Sequence, residues 1–186
     1  MTSNSYSIFQ TRFGTMGIIW TDTENGYKIN RIFLPNEANS IEKRIREQFV
    51  YSKERSSPQI SGFISKIKNF LDGEKVDFDL NTIAFEMCTD FQKRVLLLEY
   101  KIPRGWISTY GRIAVQLCVP HGGRAVGNAL SRNPFPIVIP CHRAIRSNGS
   151  LGGFQGGIKM KKHLLKNEGI KFSKSNRVLM KNIYYS

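Results

Sequence analysis

Apolar residues change their spacing along this chain, and that change decides which elements it can form. Up to residue 34 they come in short β-branched or aromatic runs, at 6–11, 17–21 and 29–34, broken at Phe13-Gly14 and at Glu24-Asn25-Gly26. Runs of that length between turn residues predict strands joined by tight turns. Pro35-Asn36 ends the set, and the period becomes helical over 40–49 (Ile41, Ile45, Phe49) and again over 61–71 (Phe63, Ile64, Ile67, Phe70, Leu71). Residues 76–80 alternate, as a further strand would. There is no repeat and no low-complexity linker, and the only shift in composition falls near 81–90.

Beyond that shift the helical pattern dominates. Thr89 or Asp90 caps a helix carrying Phe91, Val95, Leu98 and Ile102, which stops at Pro103-Arg104-Gly105. Ser108 or Thr109 caps a helix over 112–118, and Pro120-His121-Gly122-Gly123 breaks the chain. A second short helix over 124–132 turns Val126, Ala129 and Leu130 inward. Two short helices around a glycine-containing turn, the second entered by an arginine, form the pattern of a helix-turn-helix. Asn133-Pro134 ends that helix, and 135–139 runs as a short buried segment into Cys141. A basic helix follows at 158–167, ended by Gly169. Residues 178–180 and 183–185 fit either a terminal strand or a frayed tail.

Charge divides at the same place. Residues 1–90 carry 11 Lys and Arg against 12 Asp and Glu, whereas residues 91–186 carry 17 against 2. Such a gradient is the footprint of a polyanion met by the C-terminal half alone. Lipid would favour a basic amphipathic helix with bulky apolar anchors, and no strong one is present, so nucleic acid fits better. No apolar run approaches the roughly 18 residues of a membrane helix, and Met1-Thr2-Ser3-Asn4-Ser5 lacks the parts of a secretory leader. Three cysteines, Cys88, Cys118 and Cys141, have no framework spacing. These features predict an intracellular protein with free thiols and no membrane association, cytoplasmic, or nuclear in a eukaryote.

Ile139-Pro140-Cys141-His142-Arg143 sets a thiol beside an imidazole and a guanidinium. Thiols react as thiolates, and a neighbouring imidazole or cation makes one available near neutral pH. Adjacent residues of a strand point to opposite faces, so adjacency alone leaves a buried cysteine before a surface histidine as the plainer reading. Residues 149–157 hold five glycines with Phe154 and Gln155, without the Lys-Ser/Thr of a phosphate-binding loop. Glycines there are expected to let backbone amides approach a flat ligand. Cys88 and Cys118 read as packed thiols, and His121 and His163 lie far apart, so neither a metal nor a cofactor is expected.

Taken in order, these pieces resemble the O6-alkylguanine-DNA alkyltransferases, the methylated-DNA–protein-cysteine methyltransferases. The resemblance runs from Phe91-Gln92 through Ile102-Pro103-Arg104-Gly105, Thr109-Tyr110-Gly111-Arg112-Ile113-Ala114, Arg124-Ala125-Val126-Gly127 and Asn133-Pro134. It continues through Pro140-Cys141-His142-Arg143 to Gly156-Gly157 and Leu164-Leu165-Lys166-Asn167-Glu168-Gly169. Residues before 80 match only loosely, chiefly at Phe13-Gly14-Thr15. The family implies an α/β fold, with a ribonuclease-H-like sheet-and-helix domain over 1–85 ahead of a mostly helical winged helix-turn-helix domain over 86–186. It implies a monomer that binds double-stranded DNA carrying O6-alkylguanine, in the minor groove, with salt-sensitive affinity.

The resemblance also implies residue roles. Cys141 attacks the alkyl carbon on O6 of a flipped guanine and keeps the alkyl group, so each molecule acts once. His142 accepts the thiol proton, through water, and Glu168 holds that histidine. Glu168 is one of only two acids after residue 90, and it ends a helix, where the dipole disfavours a carboxylate. Tyr110 protonates the leaving guanine, Asn133 fixes the turn before the active site, and Arg124 enters the duplex in place of the extruded base. Ala125, Gly127, Arg143, Ala144, Phe154, Gln155 and Gly156 complete the DNA and base contacts, with the Ala144 carbonyl receiving the guanine amino group. Ala144 stands where the family commonly has valine, Phe154 where tyrosine is frequent, and Gln155 where smaller residues are, so the range of alkyl sizes is in question. A lesion sensor without chemistry, a transcription regulator and a Cys-His hydrolase are the competing readings. Cys141 opposes the first, the missing regulator domain the second, and the basic half with Arg124 the third.

Overall fold

The computed structural model describes residues 4–36 and 38–185; the leaderless reading of Met1-Thr2-Ser3 lies outside them. Backbone contacts divide the chain into two units, Met1–Met87 with Pro134–Val138, and Cys88–Asn133 with Ile139–Ser186.

In the first unit the three expected strands form an antiparallel meander of β1 (Ser5–Thr11), β2 (Gly14–Thr23) and β3 (Gly26–Phe33). Gly14 at φ +111° and Gly26 at φ +123° open the turns into β2 and β3, a backbone region that glycine alone enters without steric cost. A short strand β4 (Lys53–Glu54) adds parallel to β1, giving the order β3-β2-β1-β4. The expected strand at 76–80 is absent. That stretch is irregular up to a short 3-10 turn, and its pattern reflects one aromatic, Phe78, inserted against Phe63 and Phe70.

Both sheet-side helices follow from the apolar spacing. α1 (Ile41–Gln48), capped by Ser40, seats Ile41 and Ile45 on Ile19 and Phe33. α2 (Pro58–Leu71), capped by Ser57, contacts β1 and buries Ile60, Phe63, Ile67, Phe70 and Leu71. The excursion Pro134–Val138 was expected with the C-terminal region and belongs instead to this unit. Ile32 N–H donates to Pro134 O at 2.8 Å, and Phe135 meets Phe85 edge-on with centroids 5.8 Å apart.

The second unit is mostly helical. α3 (Asp90–Lys101) is capped by Thr89 and α4 (Tyr110–Gln116) by Thr109; α5 (Gly123–Ser131) and α6 (Gly157–Asn167) follow. α4 and α5 pack together across the 117–122 turn, with α3 against α5, which is the helix-turn-helix. Side-chain donors close the carbonyl ends: Gln92 Nε2 reaches Ala129 and Arg132 O, Arg94 reaches Leu117 O, and Arg104 reaches Asn167 O. Helix C-termini carry orphan carbonyls and partial negative charge, so such donors stabilise them. Two-residue strands β5 (Ser108–Thr109) and β6 (Ala144–Ile145) pair in parallel. The last residues are neither a strand nor a frayed tail: Ile183 bridges Ile107, Tyr185 Oη donates to Leu98 O, and Val178 joins a core with Ile145, Leu151 and Leu165. The chain is thus a mixed α/β protein with one sheet-and-helix unit and one mostly helical unit.

Gly17 tests the packing of α1 on the sheet. A Cβ there would lie 2.5 Å from Ile41 Cγ2 and 3.3 Å from Ile45 Cδ1, and a β-branched side chain is stiff about χ1. Gly17→Ala should therefore destabilise by about 1–3 kcal/mol, read as a lower urea midpoint. Gly62→Ala in α2, where a Cβ meets nothing within 4 Å, should instead stabilise by about 0.5–1 kcal/mol.

Candidate active site

The parallel β5–β6 pair sets Ser108 beside Ala144 and Thr109 beside Ile145. It thereby joins the first turn of α4, which begins with Tyr110, to the turn that holds the cysteine. That turn is a single 3-10 turn, Cys141–Arg143, buried throughout. Cys141 N–H donates to Ile139 O at 2.8 Å and Arg143 N–H to Pro140 O at 2.8 Å. Asn133 Nδ2 donates to Ile139 O at 3.2 Å, and an Asn133 side-chain hydrogen bond also reaches the Cys141 thiol. Asn133 thus closes the excursion and touches the sulfur.

Behind the cysteine stands a buried ionic cluster. His142 Nε2 meets Glu168 Oε1 at 2.9 Å, Arg143 Nε donates to Glu168 Oε2 at 2.9 Å, and Arg143 Nη2 donates to Glu168 Oε1 at 2.7 Å. Arg143 Nη1 donates to Ile102 O at 2.6 Å. Burial alone would push the Glu168 carboxyl up, but His142 and Arg143 overcome it and hold it at about 2. Burial holds His142 below its ordinary value, so the ring is neutral at neutral pH and the lasting countercharge to Glu168 is Arg143. A neutral imidazole facing an ionised carboxylate carries its hydrogen on Nε2, which leaves Nδ1 as the basic nitrogen.

In front of the cysteine lies an open cavity of about 950 Å³. Tyr110, Arg124, Gly127, Cys141, Phe154 and Gln155 line it, as do Arg146 and Asn148. Cys141 is 6% exposed. Burial pushes its thiol up to about 11, against the Asn133 hydrogen bond and the Lys161 charge, which pull it down. Burial also pushes Tyr110 up to about 12, helped by Glu99 and Cys141. The resting cysteine is therefore a thiol, and ionising it at pH 7 costs on the order of 5 kcal/mol. Any chemistry at that sulfur near neutral pH needs a base.

The expected site residues therefore separate. Cavity-lining Tyr110, Arg124, Gly127, Phe154 and Gln155 gather around Cys141, with Asn133, His142 and Glu168 behind it. Ala125 is exposed on α5, and Gly156 caps α6 without lining the cavity. Arg143, expected among the DNA contacts, faces inward, its donors taken by Glu168 and Ile102. The Ala144 carbonyl, expected to receive the guanine amino group, accepts from Lys161 Nζ at 2.6 Å. Gln155 Nε2 donates to Asn133 O at 2.7 Å, and Phe154 meets His142 edge-on at 6.3 Å.

Sequence reasoning missed Lys161, Arg146 and the purpose of Gly152. Lys161 is wholly buried although it sits in a run of basic residues. Gly152, at φ +69°, makes room for a side chain: a Cβ there would lie 2.6 Å from Tyr110 Oη. The signal was present for Lys161 alone, which precedes Leu164 and Leu165 by three and four residues and so shares their buried helix face.

A family model described as the 6-O-methylguanine DNA methyltransferase DNA-binding domain matches residues 90–170. The methylated-DNA–protein-cysteine methyltransferase of Methanothermobacter thermautotrophicus is 50% identical over 123 residues, 64% of this chain and 68% of that protein. That of Methanosarcina acetivorans is 34% identical over 164 residues, 88% of this chain and 97% of that protein. Among solved structures, Mycobacterium tuberculosis OGT in complex with DNA matches with a TM-score of 0.69 at 29% identity, over 88% of this chain and 92% of that one. The O6-methylguanine-DNA methyltransferase of the archaeon Pyrococcus kodakaraensis matches at 0.66 and 29%, over 90% and 99%.

The ionic cluster has a pH signature. Glu168 titrates below its ordinary value of 4.5, at about 2, so its stabilising effect is complete above pH 4.5 and drains away as pH falls toward 2. Urea midpoints measured across that window should fall steeply for the wild type. Glu168→Gln, which keeps the shape and loses the charge, should start lower and show a flatter dependence there.

Proposed function

The chain belongs to the methylated-DNA–protein-cysteine methyltransferase family, and on that premise we propose that it repairs duplex DNA by moving an alkyl group from O6 of guanine to Cys141. The observation that carries this reading is a cysteine at the base of an open cavity, backed by the buried His142–Glu168 pair and faced by Tyr110. A flipped purine fits a cavity of about 950 Å³, and base flipping is what delivers O6 to a thiol set below the surface.

In the proposed reaction the Cys141 S–H proton passes, through water, to Nδ1 of His142, and Glu168 stabilises the imidazolium that forms. Sγ then attacks the alkyl carbon in line with the C–O6 bond. The S–C bond forms, the C–O6 bond breaks, and the Tyr110 phenol gives its proton to the departing guanine. The proton held on His142 makes good the loss at Tyr110, so the balance is one thiol proton moved to guanine. The thioether has no path back, and the molecule acts once.

DNA engagement falls to the helix-turn-helix. In this reading Arg124, exposed at the second position of α5 and lining the cavity, enters the duplex where the base leaves. Arg146, also exposed on the cavity rim, adds charge for phosphate. With 17 basic residues against 2 acidic after residue 90, affinity should fall with salt.

Intact-mass measurement after incubation with an O6-methylguanine duplex tests the reading. One methyl should appear per molecule, on Cys141, and vanish in Cys141→Ala; an unchanged mass with tight binding would leave a lesion sensor. Arg124→Ala should slow reaction with duplex by at least about tenfold, the loss of roughly 1.4 kcal/mol of binding to the flipped state. Its rate with free O6-benzylguanine should change little, and equal loss on both substrates would remove the wedge role.

A further inference from the structure

Only two acidic side chains follow residue 90, and the mechanism above uses one. The other, Glu99, lies on the inner face of α3 with Val95 and Leu96. It is wholly buried, and neither carboxylate oxygen has a hydrogen-bond partner among the described residues. A carboxylate taken out of water without hydrogen bonds needs either a proton or a nearby cation.

The cation is Lys161, on α6 and also wholly buried. Its Nζ donates to Ala144 O at 2.6 Å and Gly153 O at 3.3 Å, and stands 5.9 Å from the centroid of the Tyr110 ring. α3 and α6 both pack against the Cys141–Arg143 turn, and the charges of Glu99 and Lys161 both act on the Cys141 thiol. Burial pushes Glu99 up, while the Lys161 and Arg143 charges favour its charged form. In return an ionised Glu99 holds protons on Cys141, Tyr110 and Tyr185. Lys161 is pushed down by burial and drawn back toward its charged form by Cys141 and Glu99 alike.

One buried ammonium therefore faces two acids, and both cannot be anions beside it at once. We propose that Glu99 is a positioning residue that competes with Cys141 for Lys161. Protonated, it leaves the ammonium to the thiolate; ionised, it releases one proton to solvent, binds the ammonium electrostatically and keeps the sulfur protonated. Glu99 thus sets an alkaline limit on the nucleophile and, by the same charge, on proton donation from Tyr110. This rests on the reading of Cys141 as the alkyl acceptor.

The competition predicts a pH profile that a packing role does not. The rate of Cys141 alkylation by iodoacetamide, located by peptide mass with Cys88 and Cys118 as internal controls, follows the thiolate fraction. In the wild type its rise with pH should flatten where Glu99 ionises. In Glu99→Gln, and in Glu99→Leu, it should continue to climb and exceed the wild type by about tenfold on the alkaline side, as one neighbouring charge shifts a buried group by about one unit. Lys161→Met should be slower than the wild type. Superimposable wild-type and Glu99→Gln profiles, or a slower Glu99→Gln, would overturn the proposal. The two readings fail separately. Methyl transfer from duplex with superimposable profiles rejects Glu99 alone, and a Glu99-dependent profile without methyl transfer rejects repair alone.

Discussion

Glu168 is the point on which the second unit turns. Its two oxygens take three short contacts from consecutive residues, His142 and Arg143, and Arg143 passes the restraint on to Ile102 O. Because those residues follow Cys141 in one 3-10 turn, fixing both fixes the direction of the sulfur. Removing the carboxylate would leave the Arg143 charge buried without its partner, a loss on the order of 3–5 kcal/mol. The same group at the end of α6 works against the helix dipole. Ion pairing outweighs that cost, since the dipole effect amounts to about 1 kcal/mol or less at most sites.

Charge serves two purposes that the structure keeps apart. Exposed cations such as Arg124 and Arg146 rim the cavity and can meet phosphate. Arg143, Lys161, Glu99 and Glu168 are buried instead, and two of them, Glu99 and Lys161, act on the Cys141 thiol. Screening weakens the first group at high salt but reaches the second far less. Binding and chemistry should accordingly respond to different variables, the first to ionic strength and the second to pH.

Much of this was legible in the residues because the deciding interactions are local or rare. Thr89 and Thr109 accept from Gln92 and Arg112 N–H, as caps three residues ahead must. Glu168 stood out because acids are scarce after residue 90. What stayed hidden depends on the far side of the fold. Residues 76–80 alternate like a strand, but Phe78 packs against Phe63 and Phe70 and the stretch pairs with no strand among the described residues. Arg143 sits beside the reactive cysteine in sequence, yet a carboxylate 25 residues away takes its donors. Lys161 looks like one more solvated lysine until the carbonyls of Ala144 and Gly153 are found around it. Ile137 takes φ +79°, costly for a β-branched residue, and nothing in the sequence foretells it.

The raised thiol is at first sight the wrong property for a nucleophile, since reactive cysteines commonly ionise early. At about 11, roughly one molecule in ten thousand carries a thiolate at pH 7. On the proposed chemistry that is an advantage. A protein consumed by one alkyl group gains nothing from a sulfur that reacts with every electrophile or oxidant, because thiolate character governs both. Selectivity then comes from making the base, the acid and the counter-ion effective only where a purine occupies the cavity. His142, Tyr110 and Lys161 are all fixed by contacts that exist without the substrate. The remaining variable is water. A base that fills the cavity displaces it, lowers the local dielectric and strengthens the Lys161–sulfur attraction. Desolvation penalises the thiolate in the resting protein, and desolvation by the substrate makes its single counter-ion effective.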